Sequence, residues 1–282
     1  MKVYLPQRIG FCFGVKNAIT LAKKELEKEK EVYSLGELVH NPQVMDQLIK
    51  EGLKVVYDLS KIKEGTVITR AHGIDYSIVE EAQKRGIKIV ETTCPYVLRV
   101  QRITKLLAKE SYQIVVVGSA EHPEIKSLIA NTPSKNVYVV KTPEEAEKIP
   151  GEKIGVVAQT TESLDNFQNI VKNLIKNKPE VRAFNTICEV VRERREDLKE
   201  LAKKVEAIII VGGRNSSNTK QMVKVCQLMG VKTYFVEKEE DINYQEIKKL
   251  NSIGITGGTS TPEETIRKIS KMLNKKPVKE GG

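Results

Sequence analysis

Residues 114–124 read IVVVGSAEHPE. Four β-branched residues make a strand suited to burial on both faces. Gly118 opens a turn, and the tip carries His122 just before Pro123 and Glu124, a helix start. The same strand, glycine turn, polar tip and helix recur at 32–42, VYSLGELVHNP, which carries His40, and at 207–218, AIIIVGGRNSSN, which carries Ser216. A third set follows at 66–82, TVITRAHGIDYSIVEEA; at 153–171, KIGVVAQTTESLDNFQNIV; and at 252–269, SIGITGGTSTPEETIRKI. Their tips carry His72, Thr160 with Thr161, and Ser260 with Thr261.

Three cysteines belong to the same repeat. Cys12, Cys94 and Cys188 each follow an apolar run and precede an amphipathic helix, in KVYLPQRIGFCFGVKNAITLAKKEL, IKIVETTCPYVLRVQRITKLLAKE and VRAFNTICEVVRERREDLKELAKK. One interval separates Cys12 from His40, Cys94 from His122 and Cys188 from Ser216. A fourth apolar run in each copy (LKVVYDL, NVYVVKT, VKTYFVE) reads as a strand without a chemical tip.

Strands alternating with helices predict parallel sheets with right-handed crossovers, and such sheets bind ligands beyond the carboxyl ends of their strands. The expected fold is therefore α/β: three similar modules with parallel sheets, arranged with pseudo-threefold symmetry around a central cavity. The expected modules are residues 1–88 with Cys12, His40 and His72; 89–180 with Cys94, His122, Glu124 and Thr160; and 181–275 with Cys188, Ser216, Asn218 and Ser260. Residues 276–282 are expected to be a frayed tail.

Composition limits the function classes. The 282 residues carry a net charge of +10, from 47 basic and 37 acidic side chains. Most of these lie on Lys- and Glu-rich helices and read as solvated faces. The excess favours an anionic substrate and an acidic partner. No basic stripe is interleaved with exposed aromatics, so no nucleic acid is expected. No run reaches the ~18–20 apolar residues of a membrane span. The amino terminus enters a strand without a signal-peptide apolar region, so the cytoplasm is the expected setting. Four cysteines in such a chain point to metal or catalysis before disulfides.

Three thiolates at equivalent strand ends look like a soft-metal site, with an iron–sulfur cluster ahead of zinc. Structural zinc takes four protein ligands, often in CxxC pairs, and this chain has no CxxC. Three ligands suit a cubane cluster with one open iron, a Lewis acid for a substrate hydroxyl. Cys226, mid-helix on an apolar stripe, reads as a core residue. All three histidines of the chain fall on the repeated tips. With Ser216, Ser217, Asn218 and Ser260 they suit a di- or polyphosphate at helix amino termini. Glu124 is the one carboxylate at a central tip and reads as a proton donor beside the open iron.

The stretches GFCFGVK, LVHNP, AHG, TCPYV, EHPE, AQTT, NTIC, GGRNSSNT and GTSTP, in this order, resemble the 4-hydroxy-3-methylbut-2-enyl diphosphate reductase family of the non-mevalonate isoprenoid pathway. The resemblance implies one 4Fe–4S cluster on Cys12, Cys94 and Cys188 with one iron open. It implies a diphosphate site on His40, His72, His122, Ser216, Ser217, Asn218 and Ser260, and a proton relay through Glu124 and Thr160. It implies reductive dehydroxylation at the open iron, giving isopentenyl and dimethylallyl diphosphates. Electrons would come from a ferredoxin or flavodoxin, and a monomer is expected because one chain supplies the whole site. One stretch departs: where the family carries a small residue, a threonine and later Arg-Gln after NTIC, this chain has Val190, Val191, Arg194 and Arg195. The expected consequence is altered substrate positioning or rate with the cluster retained. Two other readings compete. An aconitase-like hydro-lyase would need no external electrons. A cluster- or zinc-binding sensor would show no turnover.

Overall fold

A computed structural model describes residues 1–274 of the chain, so the tail expected at 276–282 lies outside the described residues. The elements in chain order are β1 (Lys2–Tyr4), α1 (Phe13–Leu26), β2 (Val32–Leu35), α2 (Pro42–Lys50), β3 (Lys54–Val56), β4 (Thr66–Ile68), α3 (Tyr76–Lys84), β5 (Lys88–Val90) and α4 (Pro95–Lys109). Then come β6 (Gln113–Val117), α5 (Pro123–Ala130), β7 (Val137–Val140), α6 (Pro143–Glu147), β8 (Lys153–Ala158), α7 (Leu164–Asn177), β9 (Glu180–Ala183) and α8 (Glu189–Ala202). The last group is β10 (Ala207–Val211), α9 (Ser217–Leu228), β11 (Lys232–Val236), α10 (Tyr244–Ile247), β12 (Ser252–Gly257) and α11 (Glu263–Asn274).

The strands form three four-stranded sheets in the orders β3-β2-β4-β5, β7-β6-β8-β9 and β11-β10-β12-β1, and every pairing is parallel. One order thus occurs three times, as the repeat predicts. The tipless apolar runs are the edge strands β3, β7 and β11. The two middle strands of each sheet lead to the polar tips.

The fourth position departs from the expected grouping. The strand leading to Cys94, β5, completes the sheet of His40 and His72. The strand leading to Cys188, β9, completes the sheet of His122 and Thr160. The strand leading to Cys12, β1, pairs with β12 and completes the sheet of Ser216 and Ser260. The hydrogen-bonded sheets are therefore offset by one strand from borders drawn at 88/89 and 180/181. Only the β-pairing partner distinguishes the two groupings, and a short strand such as KVY carries no mark of its neighbour.

The helices after Cys94 and Cys188 then pack on the next sheet. In β8, a Cβ at Gly155 would lie 2.6 Å from Leu107 Cδ2 of α4. In β12, a Cβ at Gly254 would lie 2.8 Å from Leu201 Cγ of α8. Glycine is required where helix and strand approach this closely.

The chain divides into two compact units. One comprises Phe13–Val39 and Met45–Cys188 and holds the two sheets β2–β5 and β6–β9. The other comprises Met1–Cys12, His40–Val44 and the described residues from Glu189 on, and holds the third sheet. The expected module borders at 88/89 and 180/181 fall in the paired strands β5 and β9; the chain passes between units at Cys12–Phe13, Val39–His40, Val44–Met45 and Cys188–Glu189. Core strands are dry on both faces: β10 is fully buried, from Ala207 to Val211. No helix among the described residues is long and apolar enough to cross a membrane.

Candidate functional site: the cysteine and histidine tips

All nine tips lie at turns from strand into helix. Cys12, Cys94 and Cys188 directly precede α1, α4 and α8; all three are half-buried, and no disulfide joins the cysteines. Each is held by an equivalent backbone hydrogen bond to the neighbouring tip of its own sheet. The Cys94 N–H donates to Ala71 O at 3.0 Å, Cys188 N–H to Thr160 O at 2.9 Å, and Cys12 N–H to Thr259 O at 3.0 Å. Parallel pairing thus ties every cysteine to a residue at or beside a functional tip: His72, Thr160 and Ser260.

In the larger unit the residues around Glu124 form a tight group. His122 caps α5, and its Nδ1 accepts the Glu124 N–H at 3.2 Å. An imidazole accepting at Nδ1 carries its ring proton on Nε2. The His72 ring meets His122 edge-on, with centroids 5.7 Å apart. Glu124 is 3% exposed. Its Oε1 accepts the Thr160 N–H at 2.7 Å and its Oε2 accepts the Thr160 Oγ1–H at 2.6 Å. Burial pushes its carboxyl up to about 7, against the downward pull of the two Thr160 hydrogen bonds. A carboxyl titrating near neutrality can give up a proton at physiological pH.

In the smaller unit, Ser216 caps α9, accepting from Thr219 N at 3.3 Å and Thr219 Oγ1 at 3.0 Å. Ser217 and Asn218 follow in the first turn of α9. Asn218 is buried, with Nδ2 3.7 Å from Met222 Sδ, while its Oδ1 is buried without a hydrogen-bond partner among the described residues. Ser260 does not point its proton outward: its Oγ donates to His40 O at 2.9 Å. The two serines thus also build the loops, Ser216 as an ordinary helix-start residue and Ser260 through a carbonyl distant in sequence.

Two positioning residues escaped the sequence reading although they lie inside quoted motifs. Gly14 of GFCFGVK lies against Cys94: a Cβ there would stand 2.7 Å from its Sγ. Gln159 of AQTT receives the Ser119 N–H at 3.1 Å and donates to Thr161 Oγ1 at 2.7 Å, joining the EHPE and AQTT loops. Their signal was the motif itself, but contact partners distant in sequence cannot be read from it. Gly14→Ala is expected to keep the fold and lower the iron retained per chain, measured by iron analysis after anaerobic reconstitution. Full iron content would show that Cys94 can move to make room.

The residues suit the expected cluster in chemistry. Three half-buried thiols stand at strand ends, Gly14 leaves Cys94 Sγ uncovered by any side chain of its own, and Thr93 Oγ1, beside Cys94, is buried with no partner among the described residues. Among the described residues no group of three or more His, Cys, Asp or Glu is gathered as for one metal ion. In a cubane each cysteine binds a different iron, so ligands need not crowd around one point. Cys226, in contrast, is fully buried in a core with Leu198, Ile208 and Met222, and burial pushes its thiol up to about 11. Val191 is buried on α8 and offers no hydroxyl.

Comparison with known proteins gives one family. The model of the LytB protein family matches residues 3–274. The chain is 40% identical to 4-hydroxy-3-methylbut-2-enyl diphosphate reductase of Geobacter sulfurreducens, over 98% of this chain and 99% of the relative. It is 40% identical to the reductase of that name from Geotalea uraniireducens, over 98% of both chains. Among solved structures, the E-1-hydroxy-2-methyl-but-2-enyl-4-diphosphate reductase of Plasmodium falciparum matches with a TM-score of 0.92 at 30% identity, covering 98% of this chain and 89% of that one. A structure of (E)-4-hydroxy-3-methyl-but-2-enyl diphosphate reductase, described as the terminal enzyme of the non-mevalonate pathway, matches with a TM-score of 0.73 at 34% identity, covering 97% and 99%.

Proposed function

The chain belongs to the LytB protein family, and from that premise we propose that it reduces 4-hydroxy-3-methylbut-2-enyl diphosphate to isopentenyl and dimethylallyl diphosphates. The observation that carries the reading is the buried Glu124 carboxyl, poised near neutrality and gripped by Thr160, whose own carbonyl holds the Cys188 N–H. A proton donor is thereby tied to a metal-type thiol through one residue.

The reaction breaks the allylic C–O bond, forms a C–H bond and consumes two electrons and two protons, releasing water. A 4Fe–4S cluster held by Cys12, Cys94 and Cys188 would supply the electrons singly and a Lewis-acidic iron. Glu124 supplies the proton that leaves with the hydroxyl oxygen. With Glu124 protonated on Oε2, the short bond to Thr160 reverses: Oε2–H donates to Thr160 Oγ1, freeing the threonine hydroxyl to donate onward. This is a two-member relay at one stated oxygen. The Thr160 N–H on Oε1 keeps the carboxyl from rotating away. After proton release the buried carboxylate keeps its two hydrogen bonds and recovers a proton readily, because burial disfavours its charged form.

In this reading the diphosphate is held by His40, His72 and His122 with Ser216, Ser217, Asn218 and Ser260. His122 donates from Nε2, and the start of α9 adds backbone N–H groups. The orphaned Asn218 Oδ1 accepts from a hydroxyl group or a protonated phosphate oxygen. The electron donor is a ferredoxin or flavodoxin, which suits the basic chain. A monomer in the cytoplasm fits thiols kept reduced. The repeat borders at 88/89 and 180/181 are proposed as the units of an ancestral triplication, with strand pairing offset from them.

The test is anaerobic turnover of the reconstituted protein with the allylic diphosphate and a dithionite-reduced viologen. The expected result is substrate-dependent viologen oxidation with both five-carbon diphosphates as products. Products formed without any electron donor would favour a hydro-lyase. A loaded protein with no turnover would favour a sensor.

A further inference from the structure

Arg194 lies on α8 and is 4% exposed. Its Nη1 donates to Gly257 O at 3.3 Å and Gly258 O at 3.2 Å, and its Nη2 donates to Gly10 O. Gly10 is two residues before Cys12. Gly257 and Gly258 open the loop that carries Ser260. We propose that Arg194 is a positioning residue that clamps the Cys12 loop to the Ser260 loop, so that a metal ligand and an anion-binding hydroxyl are set together. The proposal rests on the reading above, in which Cys12 binds the cluster and Ser260 belongs to the diphosphate site.

Three further contacts run along the same seam. The Cys12 N–H donates to Thr259 O. Gly10, at φ +85, lies against the start of α11, where a Cβ would be 2.9 Å from Glu263 Cβ. Ser260 Oγ passes the connection on to His40 O. The guanidinium is the member that spans both loops from a third element. Its planar fork directs separate N–H groups at separate carbonyls, which one ammonium cannot reproduce. Gly258 O also accepts the Thr261 N–H at 3.0 Å, so the guanidinium adds a second donor at that carbonyl.

The test compares wild type with Arg194→Met and Arg194→Lys. Amide hydrogen exchange of residues 8–13 and 256–262 is measured first, in metal-free protein. Then the release of iron to a chelator and the binding of isopentenyl diphosphate are measured on anaerobically loaded protein. In Arg194→Met both segments are expected to exchange faster together, and iron release and the diphosphate Kd are each expected to rise about tenfold, a usual cost of losing a residue that orients a metal ligand. Arg194→Lys, which keeps the charge, is expected to recover part of each effect and decides the matter if the Met variant does not fold. The clamp is overturned if a folded variant moves only one of the two segments. It is equally overturned if exchange rises uniformly over the chain with iron release and Kd unchanged, the mark of a merely stabilising arginine. Should wild type take up no iron, the cluster reading fails, while the exchange measurement still decides the clamp.

Discussion

Glu124→Gln is expected to lower kcat by about 10²- to 10⁴-fold, the span of a lost general acid, while KM changes little and the iron content stays that of wild type. The amide keeps the volume and can still receive the Thr160 N–H, but it has no proton to give. The carboxyl titrates at about 7, so wild-type turnover should decline as pH rises through neutrality, and the variant's residual rate should not. Stability provides an independent readout. The unfolded glutamate ionises near 4.5 and the native one near about 7. Between those values the native chain holds a proton that the unfolded chain has released. The contribution is therefore complete below about 4.5 and is lost as pH rises through about 7, a difference of about 3 kcal/mol. Urea unfolding at pH 5 and pH 8 should show wild type losing roughly this amount relative to Glu124→Gln. Equal pH dependence of the two proteins, with turnover intact, would remove Glu124 from the chemistry.

The second large effect concerns the thiols. Cys94→Ala or Cys188→Ala is expected to abolish uptake of the iron–sulfur chromophore, and turnover with it, while the metal-free variants remain folded. Both side chains sit at strand ends and not in the core, so the loss is one of ligation. Cys226→Ala provides the contrast. Cys226 belongs to the buried core cluster of Leu198, Ile208 and Met222, so the cost is stability, about 1 kcal/mol for a cavity of methyl size, with iron and turnover unchanged. Visible absorption and iron analysis after anaerobic reconstitution separate the two classes. Full iron in Cys188→Ala would overturn the ligand set, and iron lost in Cys226→Ala would reopen the role of the fourth cysteine.

Both predictions use residues that were legible in the chain, for a specific reason. A strand, a glycine turn and a helix start leave local marks, so the positions of Cys94, His122 and Glu124 at a strand-to-helix turn could be read from IVVVGSAEHPE and TCPYV alone. Threefold recurrence then separated Cys12, Cys94 and Cys188 from Cys226. The pairing partner of each short strand was not legible. The chain gives no local mark that Lys2–Tyr4 pairs with Ser252–Gly254, because parallel partners are chosen by distant crossovers and not by adjacent turns.

The amino-acid sequence by itself determined the element types, the threefold repeat, the cysteine and histidine set and the family. Each of these rests on local pattern or on motifs in fixed order. Only the tertiary structure decided that each cysteine is tied to a tip of its own sheet and that Thr160 holds both oxygens of a buried carboxyl. It also decided that Ser260 spends its proton on His40 O, and that Arg194 reaches Gly10, Gly257 and Gly258. These depend on burial and on hydrogen bonds between residues far apart in the chain. The local sequence encodes neither the desolvation that lifts Glu124 nor the loop carbonyls that gather around one guanidinium.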